Sequence, residues 1–440
     1  MPGFTPRRFP PGFLWGAATS AHQVEGGNRW NDWWRFEHGT DVAATRRSGD
    51  AARHYERFDQ DFALAQADGH NVHRFSIEWS RIEPEPGAIA REGVDHYHAV
   101  IASLRARGLL PIATLFHFTL PTWVADAGGW ESRATLDRFD AFVRLCAREY
   151  GGAVDWWCTV NEPEVYAFRG WSECTWPPCV RDDSRALAVL GNLLEAHGRA
   201  YRILHQEDRV DADGDGHPVR AGMAKHVTQL EPLRRWSPLD RFRAWLEDRL
   251  FNQAVLRAPI TGTIDLSIPG ARRVLRHVPE LAHSQDWLGI NYYTRWQVDA
   301  VGRVPHIATK GAPLNDLGWE IWPPGLGLAA RRAAGFGLPV LITEHGIADT
   351  TDEKRPRFLV ESLIALHEAI QAGANVLGYL HWSLMDNFEW AEGYRGRFGL
   401  YRVPFETDPT GRERTRSAEL FSRIAKANAV PEDVARDTIT

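Results

Sequence analysis

Along the chain, short apolar runs alternate with longer segments whose apolar residues recur at helical spacing, and Gly, Pro, Asn and Asp clusters separate the two kinds. The β-like runs are Phe13–Ala18, Asn71–Ile77, Leu109–Phe116, Asp155–Val160, Val219–Val227, Trp287–Tyr293, Val340–Glu344 and Val376–Ser383. Between them lie helix-like stretches such as Tyr55–Gly69 and Ser184–Gln206. The runs are continuous rather than alternating, which fits strands buried on both faces. With no repeat, linker or composition shift to mark a boundary, the pattern predicts an α/β fold, a (β/α)8 TIM barrel, as a single domain over residues 1–440. A doubly wound open sheet is the competing layout, but no Gly-rich dinucleotide loop follows the first run.

A barrel of this kind carries its site at the carboxyl ends of the strands, so polar residues should gather there. They do: the run ends hold Gln23, Arg74 with Glu78, His117, Asn161 with Glu162, His226, Asn291 with Tyr293, Glu344, and His381 with Trp382. Asn291 and Tyr293 are two apart and share a strand face. Glu344 ends the buried run of PVLITEHGIAD, and an unpaired carboxylate there costs several kcal/mol. Glu162 ends another run and is followed by Pro163, as Glu344 is followed within two residues by Gly346. Two carboxylates across a cleft are the minimum equipment for glycosidic bond hydrolysis: one protonates the leaving oxygen, the other attacks the sugar carbon or activates water. Arg74 is expected to hold one acid ionised while the other, lacking such a partner, keeps its proton to higher pH.

Composition narrows the partners. Asp plus Glu outnumber Lys plus Arg by 57 to 51, which gives no support to nucleic-acid binding. The 19 Trp exceed what a core needs, and flat indoles suit stacking on sugars. No window approaches a membrane-spanning length of apolar residues, and the opening MPGFTPRRFPPGFLWG turns to prolines where a secretory signal would be apolar. A cytoplasmic protein is expected. Four cysteines are few for the length and fit a reducing compartment, with Cys174 and Cys179 expected as unpaired thiols. No set of His, Cys and acids has ligand spacing, so neither metal nor cofactor is expected. DADGDG at 211–216 opens like a calcium loop but fails at its twelfth position, Gly222, and reads as a solvated turn. The polar carboxyl tail, VPEDVARDTIT, is expected to fray.

The motifs FLWGAATSAHQVEG (13–26), LPTWVADAGGW (120–130), TVNEP (159–163), GINYYT (289–294), LITEHG (341–346) and DNFEWAEGYRGRFGLYRV (386–403) stand in an order that resembles glycoside hydrolase family 1, the retaining β-glycosidases, over nearly the whole chain. The resemblance implies Glu162 as acid/base and Glu344 as the nucleophile of a covalent intermediate. It also implies Asn161 on the sugar 2-hydroxyl, Gln23, His117, Glu389 and Trp390 on the outer hydroxyls, and Trp382 as the platform under the ring. Tyr293 with Arg74 would position the nucleophile, Asn291 would support the site, and Phe398 would form a wall near the 6-position. Retention requires the carboxyl groups to lie about 5 Å apart. The implied substrate is a small β-glycoside or oligosaccharide, chiefly a β-glucoside, with β-galactosides and β-fucosides in addition; assembly into a homo-oligomer is left open.

The chain departs from the family's usual wording at His345, at Phe118-Thr119, at His22 and at Glu78. His345 either adds a titrating neighbour to the nucleophile or turns away, and the second reading is favoured. ITEHGIAD and RPRFL resemble a branch that includes plant galactolipid galactosyltransferases, so a transglycosylase is one alternative function. A non-catalytic sugar-binding protein on the same fold is another, and the presence of both acids speaks against it.

Overall fold

The computed structural model describes residues 6–39, 46–301 and 308–439. The opening MPGFT, residues 302–307 of the rim loop between Arg295 and Trp322, and the last tail residue, Thr440, lie outside them. Eight parallel strands form one closed barrel: β1 Leu14–Ala18, β2 Val72–Ser76, β3 Leu110–Thr114, β4 Trp156–Asn161, β5 Arg220–His226, β6 Trp287–Tyr292, β7 Val340–His345 and β8 Val376–Trp382. Each pairs with its successor in the chain and β8 closes onto β1, the arrangement expected from the apolar runs.

Every residue of β2, β4, β6 and β7 is buried, because side chains on one face fill the barrel while those on the other meet the helices. Inside the barrel Val72, Ile112, Trp156, Cys158, Ala224, Trp287, Leu341 and Leu380 pack as a separate apolar plug. The larger core lies between strands and helices, among them His54–Ala67 and Asp183–Glu207, where the helical spacing predicts them. Above the plug the interior turns polar and still buried, with Arg74, Asn161, Asn291 and Glu344 at its carboxyl end.

Two irregularities set that polar layer. Between Cys158 and Asn161, β4 advances three residues while β5 advances two, from Gly222 to Ala224. Likewise β7 runs from Ile342 to His345 against Tyr379 to His381 of β8. An extra residue of this kind breaks the alternation and re-aims the side chains beyond it. Glu162 and Glu344 both stand at such a place. Glu162 adopts φ 41°, a left-handed conformation uncommon outside glycine, and caps the helix Pro163–Trp171.

Two expectations are corrected. Cys174 and Cys179 form a disulfide, because the loop turns back through left-handed backbone at both residues (φ 57° and 60°) and brings their Cα atoms to 3.8 Å. Cys146 and Cys158 are free and buried. The tail does not fray as a whole: Glu432–Ile439 is a helix that buries Val434 against the helix Arg355–Gln371. The DADGDG stretch is a turn before β5, where the Asp211 carboxylate accepts N–H bonds from Gly214, Asp215 and Gly216. Among the described residues no helix is long and apolar enough to cross a membrane.

Candidate active site

The buried polar layer is organised by Arg74 of β2. Its Nε donates to Thr114 Oγ1 (2.9 Å), one terminal nitrogen to Glu344 Oε1 (2.6 Å), and the other to Asn161 Oδ1 (2.7 Å). Glu344 accepts a second bond through Oε2, from the Tyr293 hydroxyl at 2.6 Å. Short bonds of this kind to an ionised acceptor are the strong ones. Asn291 of β6, held by the Thr343 hydroxyl (2.6 Å), donates to Glu162 Oε1 at 2.8 Å and to Asn161 Oδ1 at 3.1 Å. One network thus ties both carboxylates together across five strands and the turn after β6.

Around it lies an aromatic and polar bowl. His117 Nε2 is 3.3 Å from the Asn161 amide nitrogen, and its ring runs nearly parallel to Trp382 and Trp390, at 6.0 and 6.3 Å. Its Nδ1 is buried without a partner among the described residues. Gln23 accepts from Ser20 Oγ (2.6 Å) and donates to the Phe388 carbonyl (2.9 Å) and to Glu389 Oε2 (3.4 Å). Asn387 donates to the same Glu389 oxygen at 2.8 Å. Trp382, Tyr293 and Phe398 pack as one cluster beside them. All twelve residues expected at the site therefore meet in one place.

The electrostatics differ from expectation. Burial and the charge of Glu162 push Glu344 up to about 7, against the pull of Arg74 and the Tyr293 hydroxyl. Glu162 is held below its ordinary value although it is buried, because His226 and the Asn291 amide favour its charged form. The acid that was expected to lack a partner has one: His226 Nδ1 lies 3.2 Å from Glu162 Oε1. The charge on Glu162 opposes ionisation of Glu344, so the two titrate as a pair. Glu389 is pushed up to about 8 by burial, so it is a neutral acid at pH 7.

The departures find local explanations. His345 turns away from the cleft: its Nδ1 meets the Tyr379 hydroxyl at 2.8 Å and its ring stacks on Phe358 at 4.6 Å. Burial pushes it down to about 3, so it is neutral. Two of the unusual residues answer each other, since the Thr119 hydroxyl donates to Glu78 Oε2 at 2.9 Å. His22 accepts from the amides of Asn28 and Asn31 and stacks on Trp390 at 5.7 Å. His197 and His381 are core residues, bonded to Thr159 and to Tyr379.

His226 and Thr343 are the contacts that reading the sequence misses. His226 stands at a strand end, but nothing in the residue order says that its ring faces Glu162 rather than the core. Thr343 acts through the extra residue of β7, which an all-apolar run does not reveal.

The chain is similar to known proteins over nearly its whole length. The β-glucosidase A of Thermotoga maritima is 31% identical, over 97% of this chain and 99% of its own. The β-galactosidase of Pyrococcus woesei is 29% identical over 98% and 99%. The β-glycosidase structure from Pyrococcus horikoshii superposes with a TM-score of 0.89 at 34% identity, covering 99% of this chain and 98% of that one. The profile of glycosyl hydrolase family 1 matches residues 5–430, and with the barrel and its paired carboxylates in view, the chain belongs to that family.

Proposed function

We propose that this family 1 enzyme is a single-domain retaining exo-β-glycosidase. It hydrolyses terminal non-reducing β-D-glycosyl residues, β-glucosides first and β-galactosides and β-fucosides besides, by covalent double displacement. The observation that carries this reading is the arrangement of Glu344 and Glu162: two buried carboxylates at the carboxyl end of the barrel, one gripped by Arg74 and Tyr293, the other by Asn291 and His226. The names of the two curated relatives, a β-glucosidase and a β-galactosidase, support the choice of sugars.

In the first step Glu344, ionised, attacks the anomeric carbon while Glu162 gives its proton to the departing oxygen; the C–O bond to the aglycone breaks and a glycosyl ester forms. In the second step Glu162, now ionised, takes a proton from water, which attacks the same carbon and returns Glu344 as carboxylate. Arg74 and the Tyr293 hydroxyl orient Glu344 and offset part of the cost of its buried charge. Asn161 Oδ1 is fixed by two donors, which leaves its amide N–H groups directed by that grip toward His117 and the sugar's 2-hydroxyl. Neutral Glu389, with Gln23, can both donate to and accept from the 4- and 6-hydroxyls. A cytoplasmic location belongs to the same proposal, supported by the free buried thiols Cys146 and Cys158, while the one bridge closes a short loop.

Glu344→Ala should lower hydrolysis of a nitrophenyl β-glucoside by more than about a thousandfold. A 2-deoxy-2-fluoro glucoside should leave a covalent adduct on Glu344 in the wild type, read by mass spectrometry. Activity near the wild-type level in the variant, or no adduct, would overturn the assignment.

A further inference from the structure

We propose that His226 is a positioning residue for Glu162, holding one carboxylate oxygen so that the exchanging proton is confined to the other. The inference rests on the glycosidase reading above. Glu162 Oε1 faces two nitrogens, Asn291 Nδ2 at 2.8 Å and His226 Nδ1 at 3.2 Å, whereas Oε2 takes no hydrogen bond from the described residues. A protonated Oε1 would set its hydrogen against both. The proton therefore belongs on Oε2, the oxygen left for the glycosidic oxygen and for water.

The ring is itself fixed. Its Nε2 lies 2.8 Å from the Thr228 hydroxyl, and Asn252 donates to the Thr228 carbonyl at 2.8 Å. A neutral ring with hydrogen on Nδ1 satisfies the whole chain: the Thr228 hydroxyl donates to Nε2, and Nδ1–H donates to Glu162. The backbone N–H of His226 donates to Glu164 Oε1 (3.1 Å), which also accepts from Lys225 Nζ (2.7 Å). Tyr293 stacks on one face of the ring at 5.7 Å and Phe251 meets it edge-on at 6.0 Å. The titratable and charged groups that face His226 are thus Glu162, Glu164, Lys225 and Tyr293, the last carrying the influence of Glu344. Lys225 and Glu164 neutralise each other, which leaves Glu162 as the carboxylate that His226 serves.

A donor on Oε1 stabilises the carboxylate that forms when Glu162 gives up its proton, so it strengthens the acid in the first step. The demand for that acid depends on the leaving group. A 2,4-dinitrophenolate leaves unaided; an alkoxide does not. The test compares His226→Leu, which removes the donor, with His226→Asn, whose side-chain amide puts an N–H near the former Nδ1. For His226→Leu, kcat/KM on an alkyl β-glucoside should fall about tenfold or more, while that on 2,4-dinitrophenyl β-glucoside stays within about twofold. The basic limb of the pH profile should also move upward, because the ionised form of Glu162 loses a donor. His226→Asn should restore most of the alkyl-glucoside rate and return the limb. An equal loss on both substrates, or no loss and an unmoved limb, would overturn the proposal. Dinitrophenyl glucoside turnover reports that the variant is folded with a working Glu344. A failure of the glycosidase reading itself would show separately, as a wild type that releases neither aglycone.

Discussion

At the scale of single residues, the site is a contest between burial and specific partners. Glu344 is at once the group pushed up to about 7 and the one bound most closely, by Arg74 at 2.6 Å and Tyr293 at 2.6 Å. As the proposed nucleophile it must be ionised to attack, so activity is lost as pH falls far enough to protonate it, which sets the acid limb of kcat/KM. Tyr293→Phe removes a donor that favours the charged form, so the limb should move further up and kcat at pH 7 should fall about a hundredfold. A limb that stays or moves down would show that Tyr293 does not support the charge. The two acids were legible once they were read together, each closing an apolar run at the same end of one barrel, and the pairing of Tyr293 with Arg74 followed from the family resemblance. His226 was not legible, since a histidine at a strand end suits the core equally well until the turn beyond β4 aims Glu162 at it.

At the scale of elements, the strand bounds follow from the apolar runs to within a residue or two, because parallel strands buried on both faces are written as continuous hydrophobic sequence. For the same reason the extra residues in β4 and β7 left no trace: a run without alternation cannot show where alternation breaks. Those irregularities decide which way Glu162 and Glu344 point. Gly346, just past β7, makes the second one feasible. A Cβ there would come within 2.1 Å of the Trp382 carbonyl oxygen at the end of β8, and nothing in that backbone can give way cheaply. Gly346→Ala should therefore push the end of β7 off β8 and carry Glu344 and Trp382 out of alignment. We expect kcat on a nitrophenyl β-glucoside to fall at least about tenfold, since a displacement near 1 Å costs catalysis heavily, together with a lower melting temperature. A variant with unchanged kcat would mean that the register at this end of the sheet is not what aims Glu344.

At the scale of the whole molecule, the barrel leaves the chain's two ends to be tied down, and Asn428 does this. It ends the helix Arg416–Ala427 in left-handed backbone, φ 48°. Its side chain accepts from Trp15 Nε1 at 2.9 Å and donates to the carbonyls of Phe9 and Pro10, each at 3.0 Å. Its own carbonyl accepts from the Phe9 N–H at 3.0 Å, and Arg7–Arg8 pairs with Ala429–Val430 alongside. One residue thus joins the first segment, β1 and the last two helices. That closure was not legible in the sequence, where Asn428 is one polar residue just ahead of the tail expected to fray, because its partners lie more than four hundred positions away. Two substitutions separate its roles. Asn428→Gly keeps the left-handed turn but strands the Trp15 N–H and two carbonyls, which should cost about 2–4 kcal/mol. Asn428→Ala loses the same bonds and adds about 1 kcal/mol or more for an alanine in left-handed backbone. Melting temperatures should therefore fall in the order wild type, Gly, Ala, while kcat and KM at 25 °C stay near wild type, because none of these contacts reaches Glu162 or Glu344. If the Gly variant melted with the wild type, the side-chain bonds would not be what holds the ends; if the two variants melted together, the turn would carry no strain that glycine relieves.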